Sequence, residues 1–395
     1  MMQLTKVDQA LRQAADARQI PGVVAMAASD KEIVYQAAFG KRDLGKADPM
    51  TADSVFWIAS MTKAITATAA MQLVEQGKLS LDEPIGKVLP ILAAPNVLDG
   101  FEESGTPMLR PAKRPITLRH LMTHTAGHCY SIWNARMARY LEVSGLPSVT
   151  TCKNAALTAP LVSDPGERWE YGINIDFVGK AIEAVTGKRL DVYLRDHVFA
   201  PLGMNDTGFK MGAAQRSRLV AMHARGADGA LSLAPFEIAQ EPEFHMGGGG
   251  LYGTAPDYIA FIRMLLNGGS LGGSRVLKPE TVSMMAQNQI GELNVTKLPT
   301  AAPGTSNDID LYPDQDKKWG LSFLINTERT AEGRSPGSLA WAGLANTYFW
   351  LDPARKVGGV ILMQFFPFVD KTALELFSTF ERGIYESLDG TKAAA

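Results

Sequence analysis

An α+β fold is predicted, with an antiparallel sheet assembled from both ends of the chain, helices flanking it and a helical domain inserted between. Three observations predict it. Strand-like runs cluster at the two ends: "GVVAMAAS" and "EIVYQAAFG" early, then "WGLSFLIN", "GSLAWAGLANTYFWLD" and "KVGGVILMQFF" late. Helix-periodic segments fill the middle. The chain of 395 residues is also long enough for two lobes with buried cores. The expected sheet domain comprises residues 1–82 and 238–395, and the helical domain 83–237.

In chain order, residues 4–18 read as an amphipathic helix, and Asp30-Lys31 separates the first two strand runs as a hairpin turn. A helix from Ser60 is stopped by Gly77. The segments "TLRHLMTH", "NARMARYLEVS", "NIDFVGKAIEAVTG" and "LDVYLRDHVFAPLG" follow as helices, several ending in Gly. Periodicity is lost around 210–250, which closes on "HMGGGGLYGT". "PDYIAFIRMLLNGG" and "ALELFSTFERGIYESL" are the remaining helices. The Pro- and Asp-rich stretch 300–318 reads as a surface excursion.

The 39 basic and 41 acidic residues nearly cancel, with no long run of one sign, which argues against a nucleic-acid surface or a basic membrane face. Cys129 and Cys152 are too few for a disulfide framework and are expected to be reduced. The N-terminal segment lacks the apolar core of a signal peptide. No apolar run approaches the roughly 18 to 20 residues that span a bilayer. The expectation is a soluble cytoplasmic protein, its oligomeric state left open.

The segment "FWIASMTKAITATAAMQLVEQG" carries one positive charge, Lys63, three residues after Ser60. Taken alone, Ser60 is an ordinary helix cap and Lys63 a solvated side chain. The neighbours argue otherwise: Ala59, Met61, Ala64, Ile65, Ala67, Ala69, Ala70 and Met71 leave hardly any polar face, and a helix apolar nearly all round is buried. Residues three apart lie on one side of a helix, so Ser60 and Lys63 can touch. Burial disfavours an ammonium, which lets Lys63 become neutral and accept a proton. Ser60 at the helix start also offers its own N–H as half of an oxyanion hole.

Ser-x-x-Lys is the motif of penicillin-recognising serine enzymes. With "DPGERWEYGINIDFVGKAIEAVTG", the chain resembles the class C β-lactamase-like superfamily, which implies a β-lactamase/transpeptidase-like fold. The resemblance spans nearly the whole chain and includes "IPGVVAMA", "ITLRHLMTHTAG", "PLGMNDTGF", "GGGGLYGTAPDY" and "WAGLANTYFWLDP". Tyr171 matches the family tyrosine that works with the lysine; the alternative is a buried aromatic beside Trp169. Within the superfamily the chain is most similar to family VIII carboxylesterases and lovastatin-type acyltransferases. Two departures from the lactamase pattern point there. Ile173 stands where lactamases carry the Asn of Tyr-x-Asn, and Trp341-Ala342-Gly343 replaces Lys-Thr-Gly. The grips for a β-lactam amide and carboxylate are thus lost, and an apolar pocket suits a neutral ester. The same resemblance implies a second oxyanion N–H at Leu344, just past Gly343, and a pocket wall at Trp341, for which plain sheet packing is the alternative.

Tyr130, Trp133, His245 and Tyr252 are candidates for bordering the pocket, each equally open to packing. "GGSLG" around Ser270 fits a nucleophile elbow, but that elbow needs a strand before the serine and a helix after it, and Ser270 follows a helix. His120, His124 and His128 are spaced by four, but the Glu of the zincin motif is here Leu121, so a structural role is favoured. "HMGGGG" lacks the Gly-Lys-Ser/Thr of a phosphate loop. The expected activity is ester hydrolysis through an acyl-enzyme on a small-molecule substrate, without metal or organic cofactor and compatible with weak β-lactam hydrolysis. Acyl transfer to an alcohol is the alternative. A non-catalytic ligand-binding module on the same fold would need a damaged site, and all three site residues are present.

Overall fold

The structure is a computed structural model that describes residues 1–393. Seven strands form one antiparallel sheet: β1 (Gly22–Ser29), β2 (Ile33–Gly40), β3 (Lys317–Trp319), β4 (Leu324–Asn326), β5 (Leu339–Gly343), β6 (Thr347–Asp352) and β7 (Val357–Leu362). Their spatial order is β3-β4-β5-β6-β7-β1-β2, so the two chain ends meet where β1 pairs with β7, Val24 opposite Leu362. The sheet is therefore assembled from both ends, as expected.

Both faces of the sheet are covered, which is why its inner strands read as continuous apolar runs rather than alternating ones. Helix α1 (Thr5–Asp16) and helix α5 (Lys371–Ala393) pack together on one face. There Trp350 of β6 meets Phe377 and Phe380 of α5. On the other face Phe349 packs on Tyr258 of helix α4 (Ala255–Leu266). Adjacent residues of β6 thus point to opposite faces, as a pleated strand requires. Two glycines of β7 make room for this. A Cβ on Gly358 would stand 2.7 Å from Ile262 of α4, and one on Gly359 2.4 Å from the Trp350 ring.

Helix α2 (Thr62–Glu75) lies inside this framework and packs against helix α3 (Asn174–Thr186). Every residue of α2 from Thr62 to Leu73 is buried. Gly77 and Gly187 take left-handed φ values of 68° and 66° after the ends of α2 and α3, the conformation glycine adopts at least cost.

Three expectations need correction. "WGLSFLIN" is two short strands, because Gly320 sits where a Cβ would be 2.2 Å from the Met285 carbonyl and Ser322 has φ of 72°. "GSLAWAGLANTYFWLD" is the hairpin β5–β6, reversing through Asn346 at φ 60°. The stretch 300–318 is not wholly a surface excursion. Ser306 is fully buried because it accepts the indole N–H of Trp133 at 3.0 Å, and Thr305 beside it lines the cavity that Ser60 opens onto. Among the described residues no helix is long and apolar enough to cross a membrane.

The β6–β7 contact can be tested directly. Gly359→Ala forces a methyl into the Trp350 ring and should destabilise the protein by about 1–3 kcal/mol, read as a lower denaturant midpoint at unchanged slope.

Candidate active site

Ser60 does not cap a helix. It occupies a 3-10 turn, Ala59–Met61, that precedes α2. Ala59 holds a left-handed φ of 44°, a conformation that a non-glycine residue keeps only when its surroundings enforce it. Here they do. The Ile58 N–H donates to the Leu251 carbonyl at 3.0 Å, and the Tyr258 hydroxyl donates to the Met61 carbonyl at 3.0 Å. The end of β5 abuts the same turn, close enough that a Cβ on Gly343 would be 2.3 Å from the Ile58 carbonyl oxygen. Gly343 is thus where the end of β5 approaches the serine, and a side chain there would push them apart.

One helical step on, Lys63 is fully buried. Its Nζ lies 3.0 Å from Ser60 Oγ, 3.0 Å from the Tyr130 hydroxyl and 2.5 Å from the Gly248 carbonyl. Burial lowers the amine to about 7, with the charge of Asp176 opposing. Near neutral pH much of Lys63 is therefore free base. In that form it can donate to Gly248 and Tyr130 while its lone pair faces the Ser60 hydroxyl.

Tyr171 is buried beside this pair, its ring centroid 4.9 Å from Lys63 Nζ. The Trp341 indole N–H donates to the Tyr171 hydroxyl at 2.9 Å. Burial raises the phenol above its usual range, and hydrogen bonding with the Ser60 hydroxyl and Trp341 opposes that rise, so Tyr171 is a protonated phenol at neutral pH. The ring is wedged among His124, Trp133 and Trp341, at centroid distances of 4.6, 5.6 and 4.9 Å.

Ser60 opens onto a cavity of about 250 Å³. Tyr130, Trp133 and Leu344 line it, as does Ile173 from the position of the lactamase asparagine. No Asp, Glu, Lys, Arg or His belongs to the lining. Among the described residues, neither the N–H of Ser60 nor that of Leu344 donates to a protein acceptor. Ser60 and Leu344 both line the cavity.

Other expectations move. Trp341 is not part of the cavity lining; it stands behind Tyr171 and orients its hydroxyl. His245 is turned away, with Nε2 held 2.6 Å from an Arg189 nitrogen and 3.1 Å from Asp191 and its ring stacked on Phe209. Tyr252 accepts the Ile238 N–H at 2.9 Å and lies outside this cavity. Ser270 sits in a two-residue strand paired with Ser274–Arg275, with no helix behind it. The three histidines diverge: His120 closes the cap of helix Leu118–Met122, His124 pairs with Asn174, and His128 stacks on Phe177. Both cysteines are free and buried.

Two contributors went unread in the sequence. Tyr130 lines the cavity as expected, and its hydroxyl is in addition a direct partner of the amine, which was not foreseen. Asp176 was not singled out, although a lone acid among Ile175, Phe177 and Val178 was the available signal.

The model of the Beta-lactamase family matches residues 7–377. Monacolin J acid methylbutanoyltransferase of Aspergillus terreus is 32% identical over 96% of this chain and 95% of its own length. Lovastatin esterase of Penicillium rubens is also 32% identical, over 98% of this chain and 99% of its own. The solved structure of simvastatin synthase (LovD) from Aspergillus terreus, in a LovD6 mutant form, superimposes with a TM-score of 0.85 at 30% identity, covering 98% of each chain.

A serine hydroxyl facing a neutral amine should be nucleophilic. An apolar fluorophosphonate is expected to label Ser60, at a rate that rises with pH as Lys63 loses its proton near pH 7. Lys63→Met should slow labelling by about 10²–10⁴-fold, measured by mass spectrometry of the intact protein.

Proposed function

This chain belongs to the Beta-lactamase family, and we propose that it is a serine carboxylesterase that takes its acyl group from a neutral ester through an acyl-enzyme on Ser60. The observation that carries this reading is the fully buried amine of Lys63, 3.0 Å from Ser60 Oγ, beside a cavity lined without charge. A buried ionised group would be expensive there. The free base is inexpensive, and it is the form that can accept a proton.

The geometry supports the following steps. Ser60 Oγ attacks the ester carbonyl carbon while its proton passes to Lys63 Nζ. The carbonyl oxygen becomes an oxyanion that receives the N–H groups of Ser60 and Leu344, an interaction worth about 3 kcal/mol per donor. When the tetrahedral centre collapses, the C–O bond to the leaving alcohol breaks, and that oxygen takes the proton of the Tyr171 hydroxyl. Tyr171 recovers a proton from the Lys63 ammonium. The resulting acyl-enzyme is resolved by water, whose proton follows the same route in reverse. Trp341 keeps the Tyr171 hydroxyl directed throughout, and Tyr130 holds the amine in place.

Transfer of the acyl group to an alcohol is a second reading. The observation favouring it is that a methylbutanoyltransferase and an esterase resemble this chain to the same degree. The two fates share every step up to the acyl-enzyme and differ only in which hydroxyl enters next. A β-lactam is poorly served here, because Ile173 and Trp341 offer neither an amide grip nor a charge for its carboxylate.

Ser60→Ala should abolish turnover of p-nitrophenyl butyrate, and Tyr171→Phe should reduce kcat by about 10²–10⁴-fold. Retention of wild-type turnover by Ser60→Ala would refute the acyl-enzyme. Adding a small primary alcohol to the wild-type reaction and measuring acid against new ester separates hydrolysis from transfer.

A further inference from the structure

Asp176 lies in the first turn of α3, five residues beyond Tyr171, and is fully buried. Its Oδ1 accepts the Gly248 N–H at 2.9 Å, and the carbonyl of that same glycine accepts Lys63 Nζ at 2.5 Å. Oδ2 is buried without a hydrogen-bond partner among the described residues. A Cβ on Gly248 would stand 2.7 Å from that oxygen.

The neighbouring glycines continue the arrangement. Gly247 offers its carbonyl to Thr66 Oγ1 at 2.8 Å, and Gly249 offers its own to the Trp57 indole at 2.7 Å. None of the four glycines 247–250 has a left-handed φ, so their value lies in the missing Cβ. The tract threads between α2 and α3 and ties the amine to the acid through one residue. Simple helix packing has no use for a buried carboxylate, whose desolvation is costly.

We propose that Asp176 is a positioning residue for the base: through Gly248 it holds the Lys63 amine against Ser60, and its carboxylate governs how firmly that amine keeps a proton. The proposal rests on the reading of Lys63 as the base. The groups that face the pair are known. Lys63 is surrounded by Ser60, Tyr130 and Tyr171, with Asp176 and His124 within reach of its charge. Asp176 is felt in turn by Tyr130, Tyr171 and Cys152. Burial holds the two phenols and the thiol protonated and keeps His124 neutral. Asp176 is left as the anion of this group. Burial also raises its carboxyl to about 6, with the charge of Lys63 opposing, so acid and amine titrate close together.

Asp176→Asn keeps an oxygen for the Gly248 N–H and removes the charge. Without that anion the ammonium is less favoured, so the free base survives to lower pH. The acid limb of kcat/KM for p-nitrophenyl butyrate should move down by about 1 pH unit or more, with KM changed less than kcat. A limb that stays in place or moves upward, with turnover merely reduced, overturns the proposal. The wild-type protein supplies a second test that does not depend on the variant folding. With ¹³Cε-labelled lysine, the Lys63 resonance should titrate over a wider pH range than one isolated site, because Asp176 changes charge alongside it; a curve that follows one isolated site overturns the proposal. If Ser60→Ala kept its turnover, the underlying reading would fail instead; Ser60-dependent turnover with an unmoved limb rejects the role of Asp176 alone.

Discussion

Lys63 Nζ has three oxygens around it, from Ser60, Tyr130 and Gly248, and no water-exposed surface. That single buried amine constrains much of the surrounding architecture. A lysine can be enclosed only if every donor it retains finds an acceptor. Two of the oxygens must therefore arrive from distant parts of the chain. α2 supplies the amine, the segment after helix Leu118–Met122 supplies a phenol, and the glycine tract at 247–250 supplies a carbonyl. Each has to come within hydrogen-bond reach of one atom.

Close approach is the second constraint, and glycine is the means. At Gly343 the end of β5 meets the turn that carries Ser60, and at Gly248 the backbone passes beside Asp176. Neither residue has a left-handed φ. Each is needed because a Cβ would collide with backbone or carboxylate. Rigid surroundings also let Ala59 hold its unfavourable φ, which sets the direction of the neighbouring serine side chain. The cavity beyond it has an uncharged lining, so a charged group entering it would lose its water and gain no charged partner.

The two chain-end strand clusters, the helices between and the β-lactamase-like fold were legible in the sequence, because apolar periodicity and capping residues are local signals. The pairing of Ser60 with Lys63 was legible for the same reason: both lie on one short segment, and their spacing alone brings them together. Tyr171 was reached through its surrounding motif. What stayed hidden depends on contacts between distant segments. Trp341 was expected to wall the pocket, yet β5 turns its indole toward the Tyr171 hydroxyl. His245 precedes the glycine tract by two residues, but its ring leaves in the other direction, toward Arg189 and Asp191. The stretch 300–318 is polar in composition, but Ser306 is drawn inward by the one buried indole N–H it satisfies. Composition reports the average environment of a segment and cannot single out the residue that departs from it.

The central claim is that Lys63 is uncharged and receives the Ser60 proton. Neutron diffraction on crystals equilibrated above pH 8 would locate those hydrogens. The account predicts two deuterons on Lys63 Nζ, directed at Gly248 and Tyr130, with the Ser60 deuteron pointing at the nitrogen. Three deuterons on Nζ, with the Ser60 O–D turned elsewhere, would contradict it.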